Sequence, residues 1–217
     1  MAEGELPHFV CVVDDDSDLG AAVARLLSRH GYRTRAYQDP AEFLAMLPQE
    51  QADCIVTDIM MCDMDGFAFA EALRSADPAA AIIFMTAWPT TANAVDAVRT
   101  YGGLDYLEKP IDEPRLLKAV SEGVLWSGRR RAALLKLAKL TKREREVIEL
   151  LGLGFSNKQI AAHLNLSPKT VEDHRANIIG KTGLAGMSQM VALLKDASDI
   201  LPERRLQDGQ SIEAGQA

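Results

Sequence analysis

Four short apolar runs, separated by longer helix-like segments, most strongly limit how this polypeptide folds. The runs cover residues 9–13, 54–57, 82–85 and 104–108. They lack the alternation of apolar and polar residues that is typical of a half-exposed strand, so they predict strands buried on both faces. Buried strands that alternate with helices indicate an α/β domain built on a parallel sheet.

Polar residues end each of these runs. Asp14 and Asp15 follow the first run, Asp58 the second, Thr86 the third and Lys109 the fourth. The carboxyl ends of parallel strands meet at one edge of an open sheet, so we expect these five side chains to converge. Three carboxylates suit a divalent cation, and Asp58 is then the nucleophile that accepts a phosphoryl group as an acyl phosphate. Lys109 and Thr86 stabilise the transferred group, which predicts a magnesium-dependent phosphoryl-transfer site.

The motifs around these residues resemble the receiver domain of two-component response regulators. They are VVDDD, VTDIMM followed by DMDG, MTA and YLEKP, within residues 9–126. The resemblance implies a flavodoxin-like fold, a doubly wound five-stranded parallel sheet, in which a partner histidine kinase phosphorylates Asp58. It also implies Mg²⁺ binding by Asp15, Asp58 and the backbone carbonyl of Met60, with Asp14 acting through water.

Thr86 and Tyr106 would be the switch pair of this family, in which Thr86 moves toward the phosphoryl group and Tyr106 follows inward. The alternative is that Tyr106 is an ordinary half-buried strand aromatic. Met60 and Trp88 each lie two positions after a site residue. We expect their bulky side chains to control dephosphorylation by hindering an attacking water; the alternative is that Trp88 turns outward.

Three features depart from the receiver pattern. Cys62 replaces the proline usual after the phosphoacceptor, which frees a backbone N–H. Pro89 closely follows Thr86, and the segment RTYGGL around Gly102 is one residue longer than usual. The helix between the third and fourth runs is therefore expected to be shifted or shortened.

Charge is distributed unevenly along the 217 residues. Residues 1–126 carry nine basic and 21 acidic side chains, a net charge of −12, whereas residues 127–197 carry 13 basic and six acidic ones, a net charge of +7. This length predicts two domains, and a compact basic module favours a polyanionic partner.

The basic half contains three helix-start signals. Thr141 is followed three residues later by Glu144, which indicates a capping box, and Ser156 precedes a second helix. Ser167 followed by Pro168 opens a third, since a serine N-cap with proline at the first helical position is a strong signal. Two short helices joined by NLSP are typical of a helix-turn-helix.

The stretch from Leu140 to about Ala197 resembles the LuxR-type DNA-binding domain of the NarL/FixJ family, through LTKREREV, GFSNKQIAAHLNLSPKTVEDHRANI and GKTG. The resemblance implies an all-α four-helix domain that binds DNA as a dimer with its third helix in the major groove. The predicted phosphate or groove contacts are Lys158, Lys169, Arg175 and Lys181. The predicted base-edge contacts are Thr170, Glu172, Asp173 and Asn177. Glu172 and Asp173 either accept hydrogen bonds from cytosine amino groups or pair with Lys169 or Arg175.

We predict a receiver domain at residues 1–126, a helical linker at 127–139, the DNA-binding domain at 140–197 and a disordered tail at 198–217. The arginines at 129–131 are expected to form a solvated linker face. The sequence has neither a signal-peptide pattern nor an apolar stretch of membrane-spanning length, so we expect a cytoplasmic protein without membrane association. Its three cysteines have no CxxC spacing, which disfavours disulfide and zinc sites.

The favoured function is a transcription factor, and not an enzyme. Phosphorylation of Asp58 would promote a homodimer and control its binding to double-stranded DNA. Two alternatives stay open: an adaptor that acts through protein or RNA, and a magnesium-dependent phosphohydrolase. Against the phosphohydrolase, there is no second acid two residues after Asp58.

Overall fold

A computed structural model describes residues 7–184 and 186–198 of the protein. The described residues form two compact units that divide between Gly128 and Arg129. All of the predicted tail beyond Ser198 lies outside the described residues. Within the described ranges, no helix is both long and apolar enough to cross a membrane.

The first unit contains one parallel sheet, as predicted. Its described strands are β1 (Phe9–Val13), β2 (Arg33–Tyr37), β3 (Cys54–Asp58), β4 (Ala81–Thr86) and β5 (Asp105–Glu108), in the order β2-β1-β3-β4-β5. Four of them correspond to the apolar runs. β2 gave no apolar run because it lies at the sheet edge and its side chains are largely exposed.

Helices cover both faces of this sheet. They are α1 (Ser17–Arg29), α2 (Pro40–Met46), α3 (Gly66–Ala76), α4 (Thr91–Arg99) and α5 (Glu113–Ala138). Aromatic residues such as Phe43, Phe69 and Phe84 fill the core on one face, and aliphatic residues such as Val56 and Leu116 fill the other. The doubly wound fold class is therefore confirmed.

The start of α3 is packed directly against the end of β3. Asp65 caps the helix by accepting hydrogen bonds from the N–H groups of Phe67 and Ala68. A Cβ atom on Gly66 would lie 2.3 Å from the backbone oxygen of Asp58, so only glycine fits here. This close approach holds the loop that follows the phosphoacceptor.

The second unit is helical and is built on the three predicted helix starts. Its helices are α6 (Lys142–Gly152), α7 (Asn157–Leu164), α8 (Pro168–Thr182) and α9 (Met187–Ala197). Thr141, Ser156 and Ser167 each accept a hydrogen bond at the N-terminus of the following helix. Asn165 ends α7 in the left-handed conformation, which asparagine tolerates better than most residues. The connection to α8 is short, as a helix-turn-helix requires.

One helix, α5, runs through the segment predicted as the linker, and its end belongs to the second core. Ala133 is buried there with Val147, Ile148 and Ile160. The expectation that residues 129–131 form a solvated face is wrong for Arg130, which is 2% exposed. Its guanidinium donates hydrogen bonds to the backbone oxygens of Asp196 (3.4 Å) and Ser198 (2.6 Å), so it holds the C-terminal end of α9.

Candidate functional site

Asp58 lies at the C-terminal end of β3, and both of its carboxylate oxygens accept hydrogen bonds. Oδ1 accepts from the backbone N–H groups of Ile59 (2.7 Å) and Met60 (3.3 Å). Oδ2 accepts from Nζ of Lys109 at 2.8 Å. These three hydrogen bonds hold the carboxylate in place. The side chain is 10% exposed, so it can still be reached from solvent.

Asp14 and Lys109 complete a buried ion-pair network with Asp58. Nζ of Lys109 also donates to Oδ2 of Asp14 at 2.8 Å, and the N–H of Asp16 donates to Oδ1 of Asp14 at 3.0 Å. Burial raises the pKa of the Asp14 carboxyl, and the hydrogen bond from Lys109 offsets this only in part. Burial lowers the pKa of Lys109, but its hydrogen bonds to Asp14 and Asp58 outweigh that effect and the pKa is raised overall. Lys109 is therefore a cation at neutral pH.

Three carboxylates come together as the sequence predicted. Oxygen atoms of Asp14, Asp15 and Asp58 all lie within 4.8 Å of one another. Asp15 is the more accessible member, and its Oδ2 accepts a weak hydrogen bond from Sγ of Cys62 at 3.1 Å. Mg²⁺ prefers hard oxygen ligands such as carboxylates. The three carboxylates here carry more negative charge than Lys109 alone can balance. The residues present therefore fit a magnesium ion.

Thr86 ends β4 beside this cluster and is 1% exposed. Its Oγ1 accepts a hydrogen bond from the N–H of Trp88 at 3.1 Å, which leaves the hydroxyl proton available to another acceptor. Tyr106 lies on the neighbouring strand β5 and packs against the core that contains Phe84. Its hydroxyl oxygen is buried and has no hydrogen-bond partner within the described part of the protein. The ring is thus in an inward position.

Met60 and Trp88 lie next to the site in sequence and extend into solvent. Their exposed fractions are 64% and 74%. Both backbones are tied to the site, because the N–H of Met60 bonds to Asp58 and the N–H of Trp88 bonds to Thr86. Their effect on dephosphorylation stays a prediction.

The loop after α4 shows how the unusual segment around Gly102 is accommodated. Gly102 has a φ of +66°, and a Cβ there would overlap the guanidinium of Arg74. Arg74 donates to the backbone oxygen of Tyr101 at 2.5 Å, and the Tyr101 ring stacks on Phe67 at 4.5 Å between centroids. Sequence reasoning missed this role of Arg74, because an arginine in α3 carries no signal for a contact with a loop 27 residues away. α4 itself begins at Thr91, two residues after Pro89, and spans nine residues.

In the second unit, three of the basic residues predicted to contact DNA have partners within the unit. Nζ of Lys181 donates to both carboxylate oxygens of the buried Glu144, at 2.9 and 2.6 Å. A guanidinium nitrogen of Arg175 donates to Oδ1 of Asn157 at 2.7 Å, which ties α8 to α7. Nζ of Lys169 lies 3.3 Å from a carboxylate oxygen of Asp173 and 3.7 Å from one of Glu172.

The remaining predicted DNA contacts differ in accessibility. Lys158, Glu172, Asp173 and Asn177 are exposed. Thr170 is only partly exposed, and its hydroxyl is hydrogen-bonded to that of Ser167, at 2.9 Å, in the N-cap of α8. The exposed members lie on α7 and α8, the two helices of the helix-turn-helix.

Family models match both halves of the protein. Residues 10–121 match the response regulator receiver domain, and residues 138–194 match the luxR family of bacterial regulatory proteins.

Similar proteins span most of the sequence. It is 30% identical over 198 residues to the tetrathionate response regulatory protein TtrR of Salmonella typhimurium, a match that covers 90% of this protein and 95% of TtrR. It is 35% identical over 192 residues to the transcriptional regulatory protein FixJ of Azorhizobium caulinodans, a match that covers 85% of this protein and 90% of FixJ.

Two solved structures of similar length share the fold. Full-length FixJ from B. japonicum has a TM-score of 0.51 at 30% identity, and the match covers 89% of this protein and 98% of that one. The response regulator StyR has a TM-score of 0.52 at 30% identity, and the match covers 87% of this protein and 98% of that one.

Proposed function

This protein belongs to the NarL/FixJ response regulators, which join a receiver domain to a LuxR-type DNA-binding domain, and on that premise we propose how phosphorylation controls it. Its family consists of transcriptional regulators and not of enzymes, so the phosphohydrolase alternative is not supported. A receiver implies a kinase partner, and a LuxR-type domain implies DNA. We assign residues 1–126 to the receiver, 127–139 to a linker and 140–197 to DNA binding.

Asp58 is the proposed phosphoacceptor. One of its carboxylate oxygens attacks the phosphorus of a phosphohistidine on the sensor kinase, so that a P–O bond forms as the P–N bond breaks. Lys109 is the cation that faces the charge on the transferred group, and its contact with Asp14 holds it in place. A magnesium ion held by Asp14, Asp15, Asp58 and the carbonyl of Met60 would supply further positive charge to the phosphoryl oxygens.

Thr86 and Tyr106 are the proposed switch; because the hydroxyl of Tyr106 is already buried here, the change on phosphorylation is expected to begin at Thr86. The free hydroxyl proton of Thr86 can be donated to a phosphoryl oxygen, an interaction that exists only after Asp58 is phosphorylated. A phosphoryl group shifts the population only if it binds the active arrangement more strongly than the resting one, and this hydrogen bond is such a difference. Met60 and Trp88 border the site but extend into solvent here, so we propose that they limit the access of water only once the acyl phosphate is present.

The second unit is the proposed output. Phosphorylation favours a homodimer whose two α8 helices contact two half-sites on double-stranded DNA. Lys158, Lys169, Arg175 and Lys181 provide phosphate or groove contacts. Lys169 also pairs with Asp173, Lys181 with Glu144, and Arg175 donates a hydrogen bond to the amide oxygen of Asn157. We propose that the protein acts in the cytoplasm, where bacterial DNA is accessible to it.

The observation that most strongly supports the proposal is the bridge from Lys109 to both Asp58 and Asp14, at 2.8 Å each. The test incubates the full-length protein and Asp58→Asn with acetyl phosphate and Mg²⁺ and measures phosphate by mass spectrometry. Both proteins are then used to select duplexes from a random pool. We expect one phosphate on Asp58 of the wild type, none on the variant, and stronger enrichment by the phosphorylated protein. An unmodified wild type, or equal enrichment by both proteins, would refute the proposed control.

A further inference from the structure

The outward face of α8 is centred on a single line of four residues. Lys169, Asp173, Ala176 and Gly180 are all exposed, and they are spaced by four, three and four positions, which places them on one side of a helix. The residues buried in the core, Val171, Ile178 and Thr182, lie on the opposite side. Asp173 is thus central to the face that points away from the core of the second unit.

The residues that follow Asp173 on this line are small enough to let a DNA duplex approach α8 closely. Ala176 has a single methyl group, and a Cβ built on Gly180 would meet nothing within 4 Å. A duplex that contacts this face therefore meets only small residues on this line after Asp173. The short carboxylate can reach a base edge without extending past larger neighbours.

A carboxylate at the centre of a DNA-facing surface needs a physical reason, because it repels the phosphates. Its pair with Lys169 is not sufficient, since both side chains are mostly exposed and such pairs add little stability. A carboxylate has about four acceptor sites, so the pair leaves Asp173 able to accept another hydrogen bond. Lys169 reduces the repulsion while the carboxylate enters the groove.

The chemistry of the major groove then selects the base. Cytosine presents its N4 amino group as a donor, whereas guanine presents two acceptors, which repel a carboxylate. Adenine presents a donor beside an acceptor, and thymine presents an acceptor and a methyl group. Of the four bases, cytosine suits an acceptor-only side chain best.

We propose, resting on the DNA-reading function above, that Asp173 accepts a hydrogen bond from a cytosine amino group and so specifies one C·G base pair in each half-site. Glu149 has the same charge and is also exposed, but it lies on α6, outside the two helices of the helix-turn-helix. It is therefore the matched control for charge without base reading.

The test selects duplexes from a random pool with the full-length protein, phosphorylated by acetyl phosphate in the presence of Mg²⁺. Four proteins are compared: the wild type, Asp173→Ala, Asp173→Asn and Glu149→Ala. We expect the wild-type motif to contain a C·G pair. In Asp173→Ala, the preference for cytosine over the other bases at that position should fall by at least about fivefold. Asp173→Asn should move the preference to A·T, because an amide both donates to and accepts from adenine. Glu149→Ala should keep the preference for cytosine.

Two results would overturn the inference, and they differ from a failure of DNA reading itself. If Asp173→Ala selects the same motif as the wild type, with unchanged base preferences, the carboxylate pairs only with Lys169 and does not read a base. Loss of the cytosine preference in Glu149→Ala as well would show a general charge effect. If the wild type enriches no sequence at all, the proposed DNA-reading function fails and the inference falls with it.

Discussion

Replacing Tyr106 by phenylalanine should stabilise the first unit. The ring packs into the core that contains Phe84, and its hydroxyl oxygen is buried without a hydrogen-bond partner in the described part of the protein. A buried polar group that has lost its hydrogen bonds to water costs about 1–3 kcal/mol. Tyr106→Phe removes this oxygen and keeps the ring. We therefore expect the free energy of unfolding of the first unit to rise by about 1 kcal/mol, the low end of that range.

Tryptophan fluorescence follows this unit separately in the full-length protein. Both tryptophans, Trp88 and Trp126, belong to the first unit. Urea unfolding should show a higher midpoint for Tyr106→Phe with an unchanged slope. The matched control is Tyr37→Phe, because Tyr37 belongs to the same core and its hydroxyl accepts a hydrogen bond from Arg35 at 3.1 Å. Loss of that bond should lower the free energy of unfolding by about 1 kcal/mol.

The opposite signs of the two variants make the reasoning refutable. If Tyr106→Phe is no more stable than the wild type, the hydroxyl reaches water or a partner in solution and the inward ring position is wrong. If both variants gain stability, the effect comes from removing any phenolic hydroxyl and not from the buried position of this one.

Three further predictions concern the two sites. Lys109→Met leaves the carboxylates of Asp14 and Asp58 without their shared cation, so phosphate incorporation from acetyl phosphate should fall by at least about tenfold; normal incorporation by mass spectrometry would contradict this. Glu144→Gln removes the charge partner of Lys181 and should cost the second unit about 1–3 kcal/mol in thermal unfolding followed by circular dichroism. The hydrogen bond from Lys181 lowers the pKa of Glu144 below its unfolded value. The ion pair therefore stabilises the second unit at neutral pH, and this stabilisation is lost as the pH falls through the lowered pKa. If the wild type is still more stable than Glu144→Gln below that pKa, the ion pair is not the cause of the difference. Met60→Arg and Trp88→Ala should each release phosphate faster than the wild type, and unchanged rates would remove the shielding role.

Much of the fold follows from local patterns in the sequence. Buried parallel strands need unbroken apolar runs, and helix N-termini need side chains such as Thr141 and Ser167 that accept backbone hydrogen bonds. The edge strand β2 escaped this reasoning because its outward side chains are exposed and polar. The convergence of the acidic cluster was predictable for a different reason, since the topology of a parallel sheet brings its carboxyl ends together.

Contacts between distant side chains were not predictable in this way. Arg130 looked like part of a solvated basic run, yet it is buried against the end of α9. Lys181 looked like a phosphate contact, yet it pairs with Glu144 across 37 residues. A charged residue has the same local signal in both settings, and only its neighbours in space distinguish them.

The sequence by itself determined the apolar runs, the helix starts, the acidic ends of the strands and the charge difference between the two halves, because each depends on residues that are neighbours in the sequence or on sheet topology. Only the tertiary structure decided which cations the carboxylates hold, that the hydroxyl of Tyr106 is enclosed, and that Asp173 faces outward at the centre of α8. Those features depend on packing between segments far apart in sequence, where burial and distance set the strength of each charge and hydrogen bond.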